Sequence, residues 1–127
     1  MALKNLAASA ASVNEAAIES IIEKYIRYDL DRRELVLTPE AGSLSNRRKI
    51  LAYLTANEGW GYVDEAAIRC PTSPRDLELP LGMKGGSLRP NLLQLQKENL
   101  IRKDASGYRI VAPNLGKIKA EVLGPDA

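Results

Sequence analysis

Leucines recur at helical spacing in the C-terminal half of the chain. Leu88, Leu92 and Leu95 fall on one face of a helix, and mostly polar or small residues separate them. The pattern predicts a helix over 87–99. Ser87 is its predicted N-cap, because the hydroxyl can accept a hydrogen bond from a free backbone N–H group. We expect the three leucines to face a hydrophobic core.

The residues that follow this helix predict a short β-hairpin. Asn99 can end the helix in the left-handed conformation, a role that glycine usually has. Leu100-Ile101 and the segment 108–111 are two short apolar runs, and the charged segment 102–107 separates them. This order indicates a strand, a loop and a second strand directly after the helix.

A second region of helical periodicity begins at Val13 and predicts a helix over 13–30. Four isoleucines lie on its apolar stripe, which is more apolar area than one small domain easily covers. Two interpretations remain open: the stripe packs on its own domain, or it forms a homodimer interface. The residues of that candidate dimer interface are Val13, Ile18, Ile21, Ile22 and Tyr25.

A strand over 34–38 and a linker over 39–42 are predicted after this helix. Ser43 or Ser45 is the N-cap of the next helix, which ends near 57–59. The apolar face of that helix consists of Ile50, Leu51 and Leu54.

The pattern in the middle of the chain leaves an alternative open. Residues 60–63 predict a short strand, and a further short helix lies either at 64–69 or at 74–79. Apolar residues favour 64–69, which would leave 70–85 as an extended connection. The spacing of Leu77, Leu79 and Leu81, which leads into a turn at Gly82, favours 74–79 instead. Near the C-terminus, Asn114 is the predicted N-cap of a final helix.

The predicted elements over about residues 45–112 resemble the winged helix-turn-helix superfamily. The resemblance implies a mainly α fold with a small β wing (α+β), in which helix 87–99 is the recognition helix and the charged hairpin is the wing. The N-terminal and C-terminal helices are additions to that fold. We expect residues 1–42 to form a helical arm, a candidate for dimerisation, and residues 43–127 to form the winged-helix domain.

The distribution of charge adds a functional expectation. The net charge of the chain is only +2, but the segment 84–119 contains eight bases and two acids, a balance of +6. A basic segment that coincides with a recognition helix and a wing is the pattern that phosphate binding requires.

Individual residues of that segment have different candidate roles. Arg89 and Asn91 can read base edges in the major groove, and Gly86 can bring backbone N–H groups close to a phosphate. The remaining polar residues would contact the DNA backbone. The candidate DNA-binding residues are Lys84, Gly86, Ser87, Arg89, Asn91, Gln94, Lys97, Arg102, Lys103 and Arg109, with Arg47 and Arg48 from the first turn of the preceding helix.

The composition argues against an enzyme. The chain contains no histidine, which removes most general-base triads and the common zinc sites. Cys70 is the only cysteine, so we interpret it as a small buried thiol. The glycines lack the spacing of a nucleotide-binding loop. We therefore expect no catalytic residues, no metal site and no cofactor.

These observations lead to two functional hypotheses. The first is a small DNA-binding protein that acts on double-stranded DNA, either as a transcriptional regulator or as a nucleoid-, plasmid- or mobile-element-associated factor. The second is a winged helix that serves as a protein–protein interaction module within a larger assembly. No apolar run approaches the ~20 residues of a membrane helix and no secretory signal is apparent, so we expect a cytoplasmic protein without membrane association.

Overall fold

The computed structural model of the protein describes residues 14–64, 67–105 and 107–124. Its secondary structure is mixed α+β, with helices that flank two separate antiparallel hairpins. The coarse fold class expected from the sequence is therefore confirmed.

The N-terminal region contains a shorter helix than the periodicity predicts. Residues 14–22 form helix α1, and the chain turns at residues 23–25. It then enters strand β1 (Ile26–Asp29), which pairs antiparallel with strand β2 (Glu34–Leu37). The prediction of one helix over 13–30 is wrong beyond residue 22.

Asp29 explains why the chain reverses at this point. Its carboxylate accepts hydrogen bonds from the backbone N–H groups of Asp31 and Arg32, both at 3.1 Å. Arg33 follows in the left-handed conformation, with φ at 56°. An aspartate that bonds the backbone two or three residues ahead favours a turn over a helix. The strand predicted at 34–38 thus gains its partner from the end of the predicted helix.

Helix α2 (Asn46–Glu58) lies at the centre of the molecule. A short 3-10 turn (Pro39–Ser43) precedes it, and Ser45 caps it by accepting a hydrogen bond from the backbone N–H of Arg48 at 3.3 Å. Every residue from Ile50 to Asn57 is buried. A helix buried on all sides needs neighbours on all sides, and α2 contacts both hairpins and several of the other helices.

The prediction of a strand at 60–63 is wrong. Residues Trp60–Val63 form one helical turn, α3, directly after Gly59. Trp60 is 1% exposed and packs edge-on against the ring of Tyr28, with 4.9 Å between ring centroids. Four residues are too few for periodicity to distinguish a strand from a helical turn.

Of the two stretches that compete for the next helix, the later one is helical. Helix α4 (Pro74–Leu81) begins at a capping box formed by Ser73 and Asp76 and continues through Pro80. The described residues of the stretch 64–69 contain no helix, so the preference for that stretch and for an extended connection over 70–85 is wrong. The capping box outweighs the apolar residues of the earlier stretch.

Helix α5 (Gly85–Lys97) starts two residues earlier than predicted. Lys84 is its N-cap residue, so the assignment of that role to Ser87 is wrong. Asn99 ends this region in the left-handed conformation with φ at 61°, as predicted. The hairpin of strands β3 (Ile101–Asp104) and β4 (Gly107–Ile110) follows, with Ile101 opposite Ile110.

The chain closes with helix α6 (Leu115–Leu123), which a 3-10 turn (Ala112–Asn114) precedes. Asn114 makes no capping hydrogen bond with its side chain. Its amide instead donates to the carbonyl of Asn99 at 2.7 Å. The predicted helix is present and Asn114 is its N-cap residue, but the side chain bonds to the segment between α5 and β3 instead of capping α6.

Two sets of hydrogen bonds hold the irregular segment that leads into α4. The buried amide of Asn57 accepts from the backbone N–H of Cys70 at 2.8 Å and donates to its carbonyl at 3.0 Å. Thr72 bridges to the second hairpin: its carbonyl accepts from the backbone N–H of Tyr108 at 3.2 Å, and its hydroxyl donates to the Tyr108 carbonyl at 2.7 Å. Gly107 makes this approach possible, since a Cβ there would lie 2.5 Å from the Thr72 carbonyl carbon.

One hydrophobic core connects the described residues. It includes side chains from α1, β1 and β2 as well as from every helix between α2 and α6, so it continues across the boundary expected at residue 42. The core residues predicted from the leucine pattern are all buried: Leu88, Leu92, Leu95, Leu100, Ile101, Ile50, Leu54 and Ile110.

The stripe on α1 is part of the same core. Ile18, Ile21, Ile22 and Tyr25 are between 0% and 6% exposed within this single chain. Of the two interpretations of the stripe, packing on its own domain accounts for this burial, because these side chains are covered within one chain. Val13 lies outside the described residues. Within the described ranges, no helix has the length and apolar character that a membrane crossing requires.

Adjacent leucines of α5 provide a direct test of this packing. Leu92 is 1% exposed, so Leu92→Ala leaves a cavity and should lower the free energy of unfolding by roughly 2–5 kcal/mol. Leu93 is 54% exposed, and Leu93→Ala should change it by less than about 0.5 kcal/mol. Urea denaturation followed by circular dichroism measures both values. Equal losses from the two variants would contradict the orientation of α5.

Candidate nucleic-acid interface

Helices α4 and α5 are joined by a tight turn that fixes the direction of α5. Gly82 ends α4 in the left-handed conformation, with φ at 64° and ψ at 34°. The next residue, Met83, is buried and donates its backbone N–H to the carbonyl of Glu78 at 3.0 Å. Leu77 and Leu88 are fully buried in the common core. The opposite side of α5 is thereby held toward solvent.

The solvent side of α5 combines basic, apolar and small residues. Gly86, Pro90 and Lys97 are exposed along the line opposite the buried leucines. Leu93 lies on the same line, and Arg89 lies beside it. The middle of the helix therefore presents an apolar side chain where a base-reading helix usually presents a polar one.

The N-terminus of α5 has a carboxylate next to it. No side chain caps the helix, and a Cβ at Gly86 would meet nothing within 4 Å. At Gly85, however, a Cβ would lie 3.4 Å from Oε2 of Glu78. The positive end of the helix dipole attracts anions. A phosphate that approached this end would have to share the space with the Glu78 carboxylate.

Two of the candidate contact residues are engaged within their own helix. The amide of Asn91 donates to the carbonyl of Ser87 at 2.8 Å, and the amide of Gln94 donates to the Glu98 carboxylate at 2.9 Å. Ser87 itself is exposed. Base readout by Asn91 or Gln94 would require these hydrogen bonds to break.

Arg47 is bound by two carboxylates of its own chain. Its guanidinium donates to both oxygens of Glu98, at 2.6 and 2.7 Å, and forms a bidentate pair with Glu121. The hydrogen bonds to Glu121 and Glu98 raise the pKa of Arg47, and those that Glu98 accepts from Arg47 and Gln94 lower the pKa of Glu98 to about 2. Arg47 therefore joins the start of α2 to the end of α5 and to α6.

The helix dipole explains why Arg47 needs these partners, because a cation is unfavourable in the first turn of a helix. The sequence suggested an external anion, whereas the structure supplies two internal ones. The neighbouring Arg48 also points to the end of α6: its guanidinium lies 3.0 Å from where a Cβ of Gly124 would be. Neither arginine lies on the solvent side of α5.

Arg109 is a second arginine that is paired internally. It donates to the two carboxylate oxygens of Glu58 at 2.7 and 3.1 Å and to Asp104 at 3.5 Å. The hydrogen bonds to Glu58 raise the pKa of Arg109. Arg69 also contacts Glu58, at 3.3 Å. Arg109 thus connects β4 to the end of α2, and its charge is largely neutralised.

The remaining candidate bases are exposed. Within the described parts of the chain, they form no ion pair. The ammonium of Lys103 lies 6.0 Å from the ring centroid of Tyr108. Arg102 and Lys103 are adjacent in β3, so their side chains leave the strand on opposite faces. We call this set the basic surface: Lys84, Arg89, Lys97, Arg102 and Lys103.

Sequence reasoning did not identify Glu58, Glu78 and Leu93 as relevant to this site. The position of Leu93 out of phase with the buried leucines was a usable signal, because it places an apolar residue on the polar face. No comparable signal existed for the two glutamates. Glu58 binds Arg109, which lies 51 residues further along the chain. Glu78 lies close to Gly85, which belongs to a different helix.

Candidate metal ligands are dispersed in the part of the chain that the structure describes. In residues 14–64, 67–105 and 107–124, no group of three or more His, Cys, Asp or Glu side chains is arranged to hold a metal ion. Cys70 is half-buried, and its thiol donates to the carbonyl of Arg33 at 3.6 Å. Burial raises the pKa of this thiol, which disfavours the reactive thiolate.

Comparison with known proteins adds nothing to this description: no family model, no curated protein and no solved structure matches the chain.

The pairing of Arg47 with Glu98 predicts a specific response to acid. The pKa of Glu98 is about 2 in the folded protein and near 4.5 when unperturbed. Because the folded pKa is the lower one, the stabilisation is fully present above about pH 4.5 and is lost as the pH falls toward 2. The free energy of unfolding of Glu98→Gln should therefore fall less between pH 4.5 and pH 2 than that of the unmodified chain. Urea denaturation at several pH values measures both.

Lys97→Gln is the control for this measurement. It removes the charge of the adjacent exposed residue without touching the ion pair. Its pH dependence between 4.5 and 2 should match that of the unmodified protein. If Glu98→Gln also retains that dependence, Arg47 and Glu98 do not interact in solution.

Proposed function

We propose that the protein binds double-stranded DNA through a winged helix-turn-helix, with α5 as the recognition helix and the β3–β4 hairpin as the wing. The observation that carries the proposal is the coincidence of two features. Helices α4 and α5 are joined by a tight turn and followed by an antiparallel hairpin. Of the candidate contact bases, those that remain exposed without an ion pair in the described chain lie on α5, at its N-cap Lys84 or on that hairpin.

The path of the chain supports this interpretation. In winged helices a short strand pairs with the wing. The bridge between Thr72 and Gly107 is a single pairing at the corresponding place, just before α4. Helix α2 packs against α4, α5 and the hairpin, as the first helix of such a domain would.

The charges suggest binding that depends mostly on the DNA backbone. Phosphate contacts supply affinity without reading sequence, and exposed lysines and arginines are suited to them. Lys84, Lys97, Arg102 and Lys103 fit that role. Arg89 is the one free side chain of the described α5 that is suited to bidentate recognition of guanine. Sequence preference is therefore expected to be modest.

The structure does not favour every candidate residue of this surface. Arg47 and Arg109 are held in ion pairs with their own chain, and Arg48 lies against the end of α6. We therefore assign these three arginines to stability rather than to DNA contact.

A second candidate function is supported by Leu93. An apolar side chain that is 54% exposed in the middle of the outward face of α5 is better suited to a protein partner than to base edges. On this alternative, α5 docks on another protein and the surrounding bases face its acidic residues.

The dependence of binding on salt distinguishes the two functions. Fluorescence anisotropy measures the affinity for a duplex of random sequence at several salt concentrations. If the protein binds DNA, this affinity should decrease steeply as the salt concentration rises, because binding releases counterions from the DNA. Lys103→Ala should weaken binding to all duplexes alike and reduce the salt slope by about one. Lys119→Ala is the matched control: it removes an exposed base of α6 and should leave the slope unchanged.

Failure to bind duplex at low salt would contradict DNA binding. In that case the function suggested by Leu93 becomes the better one, and Leu93→Ser would be tested against candidate acidic partners. If duplex binds but Lys103→Ala and Lys119→Ala behave alike, the hairpin is not the wing that contacts DNA.

Arg89 tests whether α5 enters the major groove. On a duplex selected for tight binding, Arg89→Ala should lose about 1–3 kcal/mol of binding free energy and should relax sequence preference at one position. Arg102→Ala is the comparison, because a phosphate contact should reduce affinity for selected and random duplexes equally. Competition between the two duplexes measures the effect. If Arg89→Ala also weakens both equally, Arg89 contacts only the backbone.

A further inference from the structure

An open groove lies on a different part of the surface, between α1 and the chain around β1 and α3. Its volume is about 490 Å³. Ile18 and Ile22 of α1 line it but are only 6% and 5% exposed. Tyr62 and Val63 of α3 also line it and remain 45% and 41% exposed. Tyr62 and Val63 thus supply most of the exposed apolar side chain in the groove, above buried isoleucines of the core.

The rim along α1 is acidic. Glu15, Glu19 and Glu23 line the groove at intervals of four residues, so they form one row along the helix. All three side chains are exposed, and the described part of the chain provides no ion-pair partner for them. The row spans about 12 Å, roughly two turns of a helix.

The basic residue that lines this groove does not neutralise the row. The guanidinium of Arg27 donates to the backbone carbonyl of Glu23 and, at 2.8 Å, to that of Ile26. It is therefore held at one end of the groove by backbone oxygens. The three carboxylates face solvent beside an apolar surface.

The wall of the groove is firmly supported. Tyr28 donates its hydroxyl to the carbonyl of Ala56 at 2.7 Å, and burial raises its pKa to about 12. Its hydroxyl occupies the space that a Cβ at Gly59 would need. Tyr62 and Val63 lie three and four residues after Gly59. The hydrogen bond from Tyr28 to Ala56 anchors the segment from which α3 begins.

We propose that this groove binds an amphipathic helix of another protein, with leucine-type residues at i, i+3 or i+4, and i+7, and lysine or arginine along one edge. The apolar side of such a helix would pack against the exposed Tyr62 and Val63, as in other helix-in-groove complexes. Its basic edge faces the glutamate row, and this complementarity determines its orientation. The proposal is independent of DNA binding by α5.

The charge of the rim argues against other occupants. Phosphates of nucleic acid or of an anionic membrane would meet three carboxylates, and like charges disfavour association. A second copy of this chain could offer α5, which has Leu93 between Arg89 and Lys97 on its exposed side. Self-association is therefore an explicit outcome of the test.

The test uses a designed peptide of roughly 14 residues, or about four helical turns. It carries leucines at helical spacing, lysines along one edge and a fluorescent label, and its binding to the full chain is measured by anisotropy. A peptide with glutamate in place of each lysine is the first control. The lysine peptide should bind at least about tenfold more tightly than the glutamate peptide.

Two pairs of variants locate the site. Glu19→Lys should weaken binding of the lysine peptide at least about tenfold, whereas Asp31→Lys changes the net charge equally at an exposed position outside the groove and should not. Val63→Ser should weaken binding as well, whereas Leu93→Ser removes an exposed apolar residue of α5 and should not.

Three results would overturn the proposal. The first is no binding of the lysine peptide at millimolar concentration. The second is an equal effect of Glu19→Lys and Asp31→Lys, which would indicate general attraction instead of a site. The third is self-association in sedimentation velocity that Glu19→Lys abolishes, because the occupant would then be a second copy. Circular dichroism of each variant confirms that a loss of binding is not a loss of folding.

Discussion

The burial of helix α2 on all sides is the constraint on which the other elements depend. Every residue of α2 from Ile50 to Asn57 is buried, including the polar Thr55 and Asn57. Both polar side chains are satisfied by backbone groups: Thr55 donates to the Leu51 carbonyl at 2.6 Å, and Asn57 binds Cys70. Since apolar area must be covered on every side, both hairpins and the C-terminal helices are arranged around this one helix.

The bases considered for DNA contact fall into two groups with different consequences. Arg47 and Arg109 form ion pairs with carboxylates of distant elements and so connect α2 to α5, α6 and β4. The basic surface, in contrast, has no internal partner within the described residues and is available to an external anion. A count of charges along the sequence treats both groups alike. Only the three-dimensional pairing separates the bases that stabilise the fold from those that are free to bind.

Elements with their own local signal could be predicted from the sequence. The leucine spacing of α5, the left-handed Asn99 and the hairpin after it are all as expected. The elements that were misassigned have sequences compatible with more than one local structure. Residues 26–29 continue a helical pattern but are held as a strand by pairing with β2 and by the Asp29 turn. Likewise, the ion pairs of Arg47 join residues 51 and 74 positions apart, and no local pattern records them.

The two clamps on the segment before α4 have a consequence for the entropy of binding. Thr72 bonds to Tyr108 of the hairpin, and the next residue, Ser73, caps α4, while Asn57 holds Cys70 two residues earlier. The hairpin, α4 and α2 therefore form one preorganised unit. A partner that contacts the hairpin would bind a segment that is already ordered, so less conformational entropy is lost on association. Thr72 is buried, so it would influence the affinity for such a partner without contacting the partner.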